Sequence, residues 1–599
     1  MRGAAAILLL SAFAGAQDLL IRDVTVLPME GGRRLPGRSV VVRDGTIDAV
    51  VEGAPRDPPG IAIDGTGLYL LPGLCDMHVH NWYEEEHVLF LANGVTTVRN
   101  LWGTPQHLRW RKEIASGERT GPRIFTSGPI LDGAKPIWEG SVPVATPEEA
   151  RRVVAAQAEA GYDAIKVYNG LRADVYAALV AEARRRGMRV EGHVPYEVGL
   201  ERALRARQDS IEHLEGYGAW EGYFVPAQVR AWAERTAGAG TWNCPTLVVY
   251  RKFVAPEEAR LLLAAPEMRF VPPRLLATWD PGRDFRIREM SGAQFARNRR
   301  SHALKEQTVR LLHEAGARLL LGTDSANPNV VAGWSAHEEL ALLVEAGLRP
   351  WEALACATRN AGEYLKQPLG RVEPGYLADL LLVEGDPFAD VRHAARIVGV
   401  VAGGRWFPRA RLDGMLTEVA ASYARPRDRF AGLPALDGPR YEVRWNDLVV
   451  AEERFALGAD GSYRVQLAND PPQGERVDAT FGPDDRLRLL WRGPGGEGGE
   501  VAPSRATLHG VSSMALWTML RPRLAAGAAF ELMEFSSQAE GRFAGVLVQG
   551  RAAAERVIDL SVTRPDGVYL SRLTYGDDGL PSEMVSNLQQ GTVVVRRIG

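Results

Sequence analysis

Two histidines one residue apart end an apolar run: residues 72–82 read PGLCDMHVHNW, with His78 and His80. On a strand, positions i and i+2 share a face, so both imidazoles project together while Val79 points back into packing. Such a pair suits two bonds to a metal ion. Alone it also suits an accidental pair, one of them a packed core histidine. More candidates stand at the ends of other short apolar runs: Lys166 in AIKVYN, His193 in RVEGHV, His213 in SIEHLE and Asp324 in LLLGTD. Histidines placed at random would not favour strand ends in this way, and imidazole with carboxylate is a ligand chemistry that zinc accepts.

The elements that must position these groups can be read from the pattern. From residue 70 onward, short apolar strands alternate with amphipathic helices. The strands are 74–80, 94–100, 123–128, 164–169, 189–194, 210–215, 241–249 and 319–324. Helical stretches such as PEEARRVVAAQAEAG and TVRLLHEAG lie between them, closed by Gly. Eight strand-then-helix units predict an α/β fold, a (β/α)8 TIM-like barrel, whose chemistry gathers at the C-terminal ends of its strands. Between Thr246 and Leu319 about 70 residues intervene. A connection of that length commonly acts as a lid or binding wall.

Both flanks of the barrel are β-rich. Residues 17–69 and 370–411 predict one composite β-sandwich, with 70–369 as the barrel between them. Past 412 the alternation of YEVRWNDLVVAEERFAL, SYRVQLA and later runs predicts an antiparallel, all-β domain over 412–599. Its single histidine, His509, has no carboxylate cluster around it in sequence, and a structural or partner-binding module is the expected role.

Composition excludes several classes. The chain has 599 residues, 71 basic against 74 acidic, and a net charge of -3. No long block of one charge is present, so neither nucleic acid nor an anionic membrane surface is an expected partner. Cys75, Cys244 and Cys356 are odd in number and far apart, which excludes a disulfide scaffold. MRGAAAILLLSAFAGAQ has one positive charge, a short apolar stretch and a small-residue end, the shape of a signal peptide over residues 1–16. Its apolar run is too short for a membrane span and none follows. An exported protein, periplasmic or secreted, is expected. His87, His107, His302 and His313 fall in helix-like segments where solvated or capping roles dominate; His337 stands nearer the eighth strand as a supporting group rather than a ligand.

LPGLCDMHVH, GVTTVRN, AIKVYN, EGHV, SIEHLEG and LLLGTDS together resemble the metal-dependent amidohydrolase superfamily, in its Xaa-Pro dipeptidase-like and imidazolonepropionase-like branch. GRVEPGYLADLLLVEGDP resembles that family's return into its small sandwich, and the likeness covers about residues 18–410. The resemblance implies two divalent metal ions, zinc in type. His78, His80 and Asp324 would hold one, His193 and His213 the other, and Lys166, carboxylated by carbon dioxide to N6-carboxylysine, would bridge both. It further implies a hydrolase that cleaves a carbon–nitrogen bond in a small molecule such as a dipeptide, an N-acyl amino acid or a cyclic amide. A hydroxide shared by the ions attacks, Asp324 serves as general base and then acid, and Tyr168 steadies the oxyanion. A lactone or ester hydrolase on the same site, or an inactive homologue kept as a binding scaffold, are the competing readings. A homo-oligomer is compatible with the sequence and not specified by it.

The first expectation to check is the mature N-terminus. Expressed with an export pathway, the protein should begin at Gln17 by terminal sequencing. A product that keeps Met1 would show that this segment is not cleaved.

Overall fold

The computed structural model describes residues 16–424, apart from 54, 56–59, 139, 220–223, 283, 285 and 289, and beyond 435 chiefly the strands. The expected signal segment, except Ala16, and His509 lie outside the described residues. Two compact units are present: Met1–Pro272 with Glu289–Tyr423, and Pro273–Arg288 with Ala424–Gly599.

Eight parallel strands carry the first unit: β1 (Leu74–Val79), β2 (Val95–Asn100), β3 (Arg123–Thr126), β4 (Ala164–Val167), β5 (Arg189–Gly192), β6 (Ser210–Glu212), β7 (Trp242–Cys244) and β8 (Arg318–Leu319). Every residue of β1, β2, β4, β6 and β7 is buried. Strands buried on both faces read as continuous apolar runs, which is how they stood in the sequence. β1, β2 and β3 pair in order, as do β4 to β8. Parallel bridges join Ser127 to Ala164 and Val79 to Ser325. Near the latter, the N–H of Met77 donates to the Leu321 carbonyl at 2.8 Å and that of Asp324 to the His78 carbonyl at 2.7 Å.

The intervening helices have local causes. In Pro147–Ala160, Thr146 and Glu149 form a reciprocal cap, Pro147 fills the first position and Gly161, at φ 90°, ends the helix. The run 241–249, expected as one strand, is divided. After β7 the chain turns at Thr246 (φ 49°) into a helix, Leu247–Arg251. β-branched Val248 and Val249 favour a strand by propensity. The buried carboxylate of Glu339 overrides it, accepting the N–H groups of Leu247 and Val248 at 2.9 and 2.7 Å.

Both flanks meet in one sheet. Leu68–Pro72 pairs antiparallel with Leu380–Glu384, which joins the N-terminal strands to those at 397–408. Hydrogen bonds link all eight strands into one sheet where a two-sheet sandwich was expected. The reason lies in Leu19–Val26, which pairs with Ile61–Asp64 along its first half and with Leu68–Pro72 along its second. Leu19, Ile21, Val40, Val42, Leu70, Leu380 and Leu382 form its apolar core. The three cysteines are free and buried. The second unit contains a thirteen-stranded sheet, antiparallel except where Ala506–Leu508 pairs with Ala529–Phe535.

The expected boundary at 411/412 falls inside a helix, Arg409–Ala424, and the first unit runs on to Tyr423. Leu412, Leu416 and Val419 of that helix are buried. Removing them forfeits roughly 1.5–3 kcal/mol each. A chain ending at 424 should therefore fold and melt cooperatively, provided 273–288 is replaced by a short Gly-Ser linker because it belongs to the second unit. The same chain ending at 411 should melt at least about 5 °C lower by calorimetry. Equal melting temperatures would show that the helix adds nothing to the first unit.

Candidate metal centre

β1 ends with His78 and His80, whose ring centroids lie 5.4 Å apart. Cys75 and Met77, on the alternate positions, pack in an apolar cluster with Trp242, Cys244 and Leu320. Just beyond β8, the Asp324 carboxylate (Oδ1) stands 3.3 Å from His78 Nε2 and 3.0 Å from His80 Nε2. Two glycines make room for this. A Cβ on Gly322 would come within 2.8 Å of His78 Cβ, and one on Gly192, at φ 124°, within 2.9 Å of the Lys166 stem. That is the physical content of the GTD and EGH motifs.

His213 lies 4.7 Å from His78 and 4.9 Å from His193, centroid to centroid. One ligand atom each from His78, His213 and Asp324 falls within a sphere of mutual distances no greater than 4.8 Å. The structure thus brings His78, His80, His193, His213 and Asp324 into one contiguous group. Lys166 is buried beside it, near Glu212 and Asp324. Both His213 (φ 62°) and Asp324 (φ 61°) occupy the left-handed region. Non-glycine residues hold that conformation at a cost of about 1–3 kcal/mol, and such strain clusters where function imposes it.

Burial drives the site's electrostatics. It pushes the His78, His193 and His213 imidazoles well below their usual value, which favours the neutral form with a lone pair to give. The Lys166 ammonium is disfavoured for the same reason, against the pull of Glu212 and Asp324. Burial works against the Asp324 charge too. There His213, His80 and Lys166 prevail and hold the carboxyl below the ordinary range. His78 Nε2, His80 Nδ1 and Lys166 Nζ are buried with no hydrogen-bond partner. Orphaned buried polar atoms cost about 1–3 kcal/mol each. Beside them His78, His213 and Asp324 offer nitrogen and oxygen donors within 4.8 Å of one another, a set that fits a divalent cation.

Several supporting residues were not singled out in the sequence. Glu212 accepts from His78 Nδ1 at 2.8 Å and is itself held by Arg99 at 2.9 Å and by Ser210 at 2.5 Å. A carboxylate behind a ligating imidazole fixes its tautomer and raises its basicity. His193 Nδ1 has Asn169 Oδ1 at 2.7 Å and Glu215 Oε1 at 2.8 Å; His213 Nδ1 has Thr246 Oγ1 at 2.7 Å. His78 thereby presents Nε2 to Asp324, whereas His213 Nδ1 itself lies 4.0 Å from Asp324 Oδ2. Lys305, fully buried, donates to the carbonyl of His213. Cys244 also approaches His78 and Glu212; burial holds its thiol well above its usual pKa, and it packs in the apolar cluster with Cys75 and Met77. The signal available for Arg99 and Glu212 was a charged residue inside a segment read as a buried strand.

The remaining candidates resolve plainly. Tyr168 lays its ring 4.0 Å from that of His193, and its hydroxyl accepts from Trp138 Nε1 at 2.6 Å. His87 and His107 are buried, not solvated, and both bond to Asn81; His107 also completes the cap of its helix. His337 bonds to the carbonyl of Asn93 at 2.9 Å and is no part of the cluster.

Known proteins can now be set beside this geometry. The chain is 25% identical over 408 residues to an ochratoxinase of Aspergillus niger, covering 56% of this chain and 75% of the relative. A bottromycin amidohydrolase structure is similar with a TM-score of 0.55 and 29% identity, over 68% of this chain and 90% of its own. A putative prolidase from Bifidobacterium longum follows at 0.52 and 26%, over 67% and 99%. These neighbours imply a TIM-barrel fold. Residues 69–407 match the amidohydrolase family. With more than half its length in that match, the chain belongs to the amidohydrolase family, and it is a hydrolase acting on carbon–nitrogen bonds.

Proposed function

We propose that the protein is an exported hydrolase that uses two zinc ions to cleave the amide bond of a small substrate: a dipeptide, an N-acyl amino acid or a cyclic amide. The observation that carries this reading is Lys166, 1% exposed, whose amine has no hydrogen-bond partner and lies near Glu212 and Asp324. A neutral, desolvated amine is the form that adds carbon dioxide to give a carbamate. His78, His80 and Asp324 would hold one cation, His193 and His213 the other, and the carbamate of Lys166 both. Likeness to a bottromycin amidohydrolase and a putative prolidase supports an amide as the substrate. The bridges Ser127–Ala164 and Val79–Ser325 support closure of the eight strands into a (β/α)8 barrel, with these groups at its C-terminal mouth.

Bound there, the cations supply Lewis acidity to the scissile carbonyl and make water nucleophilic near neutral pH. Asp324 accepts at Oδ1 the proton that the attacking water loses and delivers it to the leaving nitrogen. Burial raises the Tyr168 phenol well above its usual value, so it stays protonated, and with Trp138 donating to its oxygen its own hydrogen is free for the developing oxyanion. Glu212 and Arg99 keep His78 from turning as charge shifts above it.

Two substitutions test this reading. The purified parent should contain about two zinc ions per chain. Asp324→Asn should keep most of the metal and lose activity by about 10²-fold or more, measured as kcat on N-acyl amino acids. Near-normal turnover would assign the proton to another group. Lys166→Ala should lose at least one ion and most activity, with partial recovery on adding a short-chain carboxylic acid. An alanine variant that retains both ions would remove Lys166 from the bridge.

A further inference from the structure

Beside His80 the chain places an arc of indole rings. Trp82 lies 6.4 Å from the His80 ring in a stacked arrangement and Trp102 5.9 Å from it, edge on. Those two tryptophans are 5.2 Å apart, and Trp138 continues the arc 6.3 Å beyond Trp102. Through Trp138 Nε1 the arc reaches Tyr168, and through that ring His193. It thus runs from one set of proposed ligands to the other. The three rings come from three different segments, after β1, β2 and β3, so no helix or strand periodicity requires them to meet.

Their burial separates packing from binding. Apolar residues that serve only the core here are buried outright, as Phe90 and Leu101 are. Trp82, Trp102 and Trp138 are all half-buried, and His80, against which Trp82 and Trp102 lie, is not fully buried either. The surroundings share this character. Of the five large apolar side chains exposed among the described residues, four lie in connections that follow parallel strands: Ile137 after β3, Tyr196 after β5, Val225 after β6 and Leu261 after β7. Ile137, next to Trp138, is 54% exposed and Tyr196, three residues past His193, 77%. Half-buried indoles beside a polar centre, with exposed Ile137 adjoining Trp138 in the chain, mark a place where an apolar group is bound.

We propose that Trp82, Trp102 and Trp138 form a cradle for an aromatic ring of the substrate, adjoining the scissile amide on the His80 side. This rests on the amide-hydrolase reading above and narrows its substrate class to amides that carry an aromatic group. An indole face recognises an aromatic guest through edge-to-face and offset contacts that a saturated ring of equal size cannot make. With its N–H engaged by Tyr168, Trp138 offers a π-face rather than a hydrogen bond. The cradle also displaces water from one wall of the site, which strengthens the electrostatic contacts to the reacting carbonyl.

The test separates binding from turnover. Two non-hydrolysable analogues, each with a methylene in place of the amide carbonyl, are titrated calorimetrically into the zinc-loaded full-length protein. One is N-benzyl-phenylalanine; the other is its counterpart with both rings saturated. The aromatic analogue should bind about tenfold more tightly than the saturated one. Trp102→Ala should bring that ratio near one with zinc content unchanged, and Trp82→Leu should reduce it independently should the first variant fold poorly. Equal affinity of the parent for the two analogues, or a ratio untouched by either substitution, overturns the proposal. If the ratio behaves as expected while the parent hydrolyses no aromatic amide, the cradle stands and the catalytic reading fails.

Discussion

An amine held out of water with nothing to bond to is the constraint from which the rest of the site follows. Lys166 cannot hold its charge at low cost where it sits, since burial works against the ammonium. Nor can it reach solvent to recover hydration. Gly192 is bare of a side chain where the lysine stem passes, and β4 and β5 pair directly at Lys166 and Glu191. A group placed so unfavourably for stability is expected where chemistry uses it.

The surrounding polar groups show the same trade. Arg99 and Glu212 are buried completely, an arrangement that seldom adds stability over apolar packing. Here Arg99 is satisfied by Met77 and Ser210 as well as by Glu212, and Glu212 in turn fixes His78. The charges are thus arranged as a base beneath the clustered histidines. Left-handed backbone at His213, Thr246 and Asp324 adds strain at the same level of the molecule. Stability for this comes from elsewhere: the apolar parallel strands and the sheet that both flanks build together.

That His78, His80, His193, His213 and Asp324 would meet was legible in sequence because particular side chains stand at particular strand ends. His78 and His80 share a face by strand periodicity alone, and the eight strands announced themselves as apolar runs. What supports them was not legible. Glu212 and His78 are 134 positions apart, and nothing local to either predicts the bond. The split of 241–249 into strand and helix depends on Glu339, 92 residues away from Leu247. The tryptophan arc draws on three separate connections. The late boundary has a different cause: the helix Arg409–Ala424 follows directly on the strand Arg405–Pro408, and the burial of Leu412, Leu416 and Val419 keeps it with the first unit.

The central claim is that Lys166 carries a carboxyl group that ties two cations together. Carbon-13 magnetic resonance of the zinc-loaded protein, equilibrated with labelled bicarbonate, reads that species directly. The account predicts one protein-bound carbamate signal per chain, lost when the metal is stripped and absent from Lys166→Ala. A fully loaded parent with no carbamate signal would contradict it.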